Sequence, residues 1–172
     1  MSKTLKNLFR VLALALLAAV LVIANLPEKE PTVKGTKEGE VLPDFSISCL
    51  NGEQFSLSAH AGQAVVINLW ATWCTPCVKE LPNFDRLQAE RQDVAVLALH
   101  APPVLTNVTD YLSSFSYTIP FAVDEEGSLC ELLDASTVLP QTIIVNADGV
   151  VTYNRVGALS YEALCELVDA AK

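Results

Sequence analysis

What most limits the fold of this chain is a pair of buried-type strand runs with one helical run between them. Residues 64–70 (AVVINLW) and 94–99 (VAVLAL) are apolar almost throughout, whereas residues 74–91 carry Val78, Leu81, Phe84 and Leu87 at helical spacing, with Pro82 expected to bend that helix. The same alternation continues on both sides. Residues 41–48 and 54–57 read as extended segments around the turn signal Asn51-Gly52. A helix over 106–114, a short strand over 119–123 and a helix over 128–133 follow. A hairpin of 142–146 and 150–155 around Asp148-Gly149 then leads to a helix over 161–171 capped by Ser160. Strands alternating with helices predict an α/β domain, one mixed central sheet with helices on both faces.

The 172 residues leave room for one such domain and an appendage. The appendage is N-terminal. Lys3, Lys6 and Arg10 precede an unbroken apolar run over residues 11–24, which reads as an export signal: a signal-anchor spanning 1–26, or a segment removed by cleavage. In either case the basic head stays inside and the body is exported, held at the cell membrane if the segment is retained. Residues 27–40 (PEKEPTVKGTKEGE) hold two prolines, two glycines and one apolar side chain, Val33, so they read as a flexible tether to a domain over 41–172. Beyond residue 26 the chain carries 8 basic and 20 acidic side chains, a surface that repels phosphate backbones and excludes nucleic acid as a partner.

Five cysteines are present, and two of them, Cys74 and Cys77, fall where the first strand empties into the helix. The Cys-x-x-Cys spacing suits half a zinc site, a copper-handling site, a structural bridge or a redox dithiol. No second Cys-x-x-Cys or close histidine pair accompanies it, His60 and His100 being the two histidines, and so small a loop gives a bridge little entropy to remove. The redox reading explains placement as well as spacing. Cys74 just before the first helical turn meets unpaired N–H groups and the positive end of the helix dipole, which favour a thiolate, while Cys77 one turn on is the resolving thiol. Pro76 sits in the first turn, where its missing N–H costs nothing. Glu80, three residues beyond Cys77, is either a solvated helix carboxylate or the group that takes the buried thiol's proton.

The segment LWATWCTPCVKELP closely resembles the active site of membrane-tethered thioredoxin-like reductases of the TlpA/ResA type. The similarity runs from about Val41 to the C-terminus and rests on Trp73-Cys74-x-Pro76-Cys77, on Glu80 and Pro82, and on Leu139-Pro140-Gln141-Thr142 ahead of a strand and an Asp-Gly turn. The resemblance implies a thioredoxin-like fold with an N-terminal β hairpin and a strand-helix insertion within about residues 111–133. It also implies a catalytic set of Cys74, Cys77 and Glu80, with Trp73, Leu139 and a cis Pro140 on the substrate side, and neither metal nor cofactor. Asn68, six residues before Cys74, stands where thioredoxins place a buried acid, which moves the proton work to Glu80. Cys49, Cys130 and Cys165 lie outside the family's chemistry; Cys130 and Cys165 read as buried small hydrophobes.

The function implied is that of an extracytoplasmic thiol-disulfide oxidoreductase, a protein-disulfide reductase. Its clients would be exported proteins such as apocytochrome c, and its electrons would come from a membrane thiol carrier of the CcdA type. A disulfide oxidase or isomerase, a thiol peroxidase and a copper metallochaperone are the competing readings. The peroxidase reading suffers from Ala71, where peroxiredoxins carry the threonine that binds peroxide.

Overall fold

The computed structural model describes residues 34–172, so the signal-anchor expected over 1–26 and the first part of the tether lie outside the described residues. The strands are β1 (Ser46–Ser48), β2 (Gln54–Ser56), β3 (Ala64–Trp70), β4 (Val94–His100), β5 (Phe121–Val123), β6 (Gln141–Val145) and β7 (Val151–Val156). The helices are α1 (Thr75–Glu90), α2 (Val108–Leu112), α3 (Ser128–Leu132) and α4 (Tyr161–Ala170), with a single 3-10 turn at Ser58–His60.

Strands β1 and β2 pair as an antiparallel hairpin, and the other five form one mixed sheet in the order β5-β4-β3-β6-β7. Strand β3 runs parallel to β4 and antiparallel to β6. Side chains alternate across the central strands. Val65, Ile67 and Leu69 face a core closed by Phe45 and Phe55 of the hairpin region and by Leu129 and Leu133 around α3. Ala64, Val66 and Trp70 face a second core closed by Leu81, Phe84 and Leu87 of α1 and by Leu164 and Val168 of α4. Cover on both faces explains why β3 and β4 read as continuous apolar runs instead of alternating ones.

The differences from the sequence expectation have local causes. The first extended segment pairs with β2 only over Ser46–Ser48; ahead of Pro43, which has no N–H to give, Val41 bridges Val150 and the Leu42 N–H donates to Gly149 O at 2.9 Å. The strand expected from 119 starts at Phe121. Pro120 has no N–H to give the ladder, and the Ile119 N–H goes to the Asp85 carboxylate instead, at 3.1 Å. The inserted strand closes the sheet edge rather than standing apart: the hairpin turn meets it through Leu50 N–H to Phe121 O, at 2.7 Å, and a bridge between Cys49 and Ala122.

The domain also begins earlier than expected. Residues 34–40, read as part of a tether, lie along β7: Gly39 N–H donates to Val151 O, Val151 N–H to Glu40 O, and the Asn154 amide to Thr36 O, at 2.8 to 2.9 Å. This segment uses backbone groups to satisfy the open edge of the sheet, which needs no apolar side chains.

Candidate active site

Strand β3 ends at Trp70, and four residues later Cys74 caps α1 from an extended conformation, φ −90° and ψ 96°. The Cys74 N–H donates back to Ala71 O at 3.0 Å, closing the turn. Cys74 and Cys77 form a disulfide with Cα atoms 5.3 Å apart. The Cys77 N–H points at Cys74 Sγ, 3.3 Å away, so the helix N-terminus presents a donor to the sulfur that carries negative charge once the pair is reduced. Cys77 is wholly buried and Cys74 is 5% exposed.

Glu80 is 3% exposed and lies one turn beyond Cys77. Its two oxygens are held separately: Asn68 Nδ2 donates to Oε1 and the Leu159 N–H to Oε2, each at 2.8 Å. Burial outweighs both hydrogen bonds and pushes the carboxyl up to about 7, where gain and loss of a proton are both easy at neutral pH. Asn68 is thus the residue of β3 that meets Glu80, and its Oδ1 is buried without a protein partner. Turned about its χ2, the same amide offers Oδ1 to a protonated Glu80, so it can partner either state of the carboxyl.

The register Leu69 to Gln141 brings Pro140 level with Trp70, at the end of the sheet from which the cysteine turn springs. The Leu139-Pro140 bond is cis, and the Gly157 N–H fixes Pro140 O at 2.8 Å. Leu139 is half-buried against the core cluster that contains both cysteines. Trp73 is 46% exposed, and its indole N–H donates to Pro103 O at 3.2 Å. The structure therefore gathers Trp73, Cys74, Cys77, Glu80, Leu139 and Pro140 at one end of the sheet.

Sequence reasoning missed the direct Asn68–Glu80 bond, although the register of β3 against a helix stripe containing Glu80 held the signal. It also missed the segment after β4, where Pro102-Pro103 is a second cis bond and Pro103 supplies the acceptor for Trp73. Of the remaining cysteines, Cys49 and Cys130 are buried, and burial pushes both thiols up, Cys130 to about 12. Cys165 is only half-buried, against expectation. On α4 the buried stripe is Leu164 and Val168, continued by the C-cap Ala171, and Cys165 stands beside it.

A buried dithiol at a helix N-terminus, with a near-neutral carboxyl one turn below and a cis proline level with it, defines a thiol-disulfide oxidoreductase of thioredoxin-like fold. The comparisons agree. A family model described as Redoxin matches residues 37–168. Thioredoxin-like protein YneN of Bacillus subtilis strain 168 is 33% identical over 139 residues, 78% of this chain and 81% of the relative. Thiol-disulfide oxidoreductase ResA of Geobacillus thermodenitrificans strain NG80-2 is 29% identical over 179 residues, 100% of this chain and 99% of the relative. Among solved structures, the pneumococcal exposed lipoprotein thioredoxin Etrx1 from Streptococcus pneumoniae strain TIGR4 superposes with a TM-score of 0.68 at 23% identity, covering 74% of this chain and 99% of that one. The chain belongs to the Redoxin family, in its ResA/TlpA-type branch.

Proposed function

We propose that this chain works as a reductant of disulfides in exported proteins, of the kind found in apocytochrome c, with a membrane thiol carrier of the CcdA type restoring its dithiol. Support comes from the similarity to ResA proteins and from the apolar N-terminal run, which would hold the domain at the outer face of the cytoplasmic membrane.

The observation that carries this reading is the buried Glu80, held between Asn68 and Leu159 and poised near neutrality under the dithiol. In the reduced protein the Cys74 thiolate attacks one sulfur of the client disulfide. The client S–S bond breaks, its other sulfur leaves as a thiolate, and a Cys74–client disulfide forms. Cys77 then gives its proton to Glu80 and attacks Cys74 Sγ, releasing the second client sulfur. Two electrons have passed to the client, and the chain is left in the disulfide form seen here. Trp73 and Leu139 flank this reaction with apolar surface, and the backbone before Pro140 is the edge along which a client segment would lie.

Replacing Cys77 by Ser stops the sequence at the mixed disulfide. The C77S protein, reduced and mixed with an oxidised Cys-x-x-Cys-His peptide, is expected to accumulate a covalent adduct that dithiothreitol releases. An adduct forming instead on C74S, with none on C77S, would reverse the order of attack.

A further inference from the structure

One buried titratable side chain near the dithiol has no part in that reaction scheme. His100 ends β4, is fully buried, and pairs in register with Trp70, the last residue of β3. Its ring meets the Trp70 indole edge-on, with centroids 5.1 Å apart and planes at 76°. Its Nε2 accepts the backbone N–H of Thr72 at 3.1 Å, in the middle of the turn that carries the chain from Trp70 to Cys74. An imidazole that accepts at Nε2 is neutral and keeps its proton on Nδ1.

The segment after His100 ties down the same turn at three more points. Ala101 N–H donates to Trp70 O at 2.8 Å, the Thr72 and Thr106 hydroxyls lie 2.9 Å apart, and Pro103 O receives the Trp73 indole N–H. Of these four ties, the one to His100 is made by a buried side chain to a backbone donor. It cannot be exchanged for water without opening the core.

We propose that His100 is a positioning residue for the attacking sulfur: by accepting the Thr72 N–H at Nε2, it fixes the turn that delivers Trp73 and Cys74 to the N-terminus of α1. The inference rests on the dithiol reading of the site. The surroundings favour the neutral ring. Asp124, whose own N–H donates to His100 O at 3.1 Å, turns its carboxylate to the Cys130 N–H at 2.6 Å. Tyr111, whose ring centroid lies 6.2 Å from that of Trp70, brings no charge. Burial lowers the pKa of the ring, in keeping with that arrangement.

Two measurements test the proposal. In the full-length wild type, imidazole nitrogen shifts by NMR should place the His100 proton on Nδ1; an Nε2–H tautomer overturns the proposal whatever any variant does. The second is the rate at which the reduced protein reduces oxidised glutathione, with the pH profile of Cys74 alkylation, in H100Q, H100N and H100L. Glutamine places an amide where Nε2 sits and asparagine where Nδ1 sits. H100Q should stay within about threefold of wild type. H100N and H100L should lose about tenfold in rate, the scale of one buried donor left unpaired, and their alkylation profiles should move to higher pH. If H100L fails to fold, the contrast between Gln and Asn decides. Folded H100N with wild-type rate and profile overturns the positioning role alone, whereas a wild type unable to reduce glutathione overturns the dithiol reading and the inference with it.

Discussion

Glu80 shows how a single side chain links stability to chemistry. Its folded pKa of about 7 lies above the ordinary glutamate value of 4.5, so between those two pH values the folded chain binds a proton that the unfolded chain has released. The sign follows: stability is fully present below about 4.5 and is lost as pH rises through about 7. The loss approaches about 3 kcal/mol, at 1.36 kcal/mol per pK unit. Urea unfolding of the oxidised protein from pH 4.5 to 8 should show this decline, and Glu80→Gln should flatten it while shifting the pH dependence of Cys77 alkylation. An unchanged slope in the Gln variant would mean that another group titrates in that window. Asn68→Leu removes a donor to the carboxylate and should move the Glu80 midpoint further up. The cysteines and Glu80 were legible from the sequence because their spacing along one helix places them in line. Asn68 was read there only as a departure from an acid, because a contact between a strand and a helix twelve positions apart depends on packing that no local pattern states.

At the scale of elements, the loop between β7 and α4 serves two sides of the site. Gly157 N–H holds Pro140 O and Leu159 N–H holds Glu80, while the Asn83 amide donates to Leu159 O at 3.0 Å. The loop ends at Ser160, whose hydroxyl accepts the Ala163 N–H at 3.2 Å and starts α4. Replacing Ser160 by Ala should cost about 1 kcal/mol in chemical denaturation, the usual scale of a lost N-cap. A cost near zero would show that the Leu164 and Val168 stripe anchors the helix unaided. Long apolar elements and those with caps were readable to within a residue or two, β3, α1 and α4 among them, since period and end signals coincide in them. Two of the short ones, β1 and α2, were not. Helix α2 covers only Val108–Leu112 of the expected nine residues, and the segment 101–107 before it, which braces the cysteine turn, has no period to read.

For the whole molecule, the α/β class and the two-faced cover follow from the apolar runs, while the start of the domain was misplaced because edge pairing through the backbone leaves no mark in composition. Residues 34–40 are polar and yet bound to β7. The acidic body, the exposed Trp73 beside the dithiol and the similarity to ResA proteins all bear on what the domain would meet on the proposed outer face of the membrane. Whether it gives or takes electrons there is a property of the entire fold, since the couple weighs every contact of the reduced state against every contact of the oxidised one. The most direct test is the reduction potential of the Cys74–Cys77 couple, measured by equilibrating residues 34–172 against a dithiothreitol redox series at pH 7. A reductant of exported disulfides should fall near or below about −270 mV, the value of thioredoxin. A value near −120 mV, that of a strong disulfide donor, would contradict the account and make this domain an oxidant of its clients.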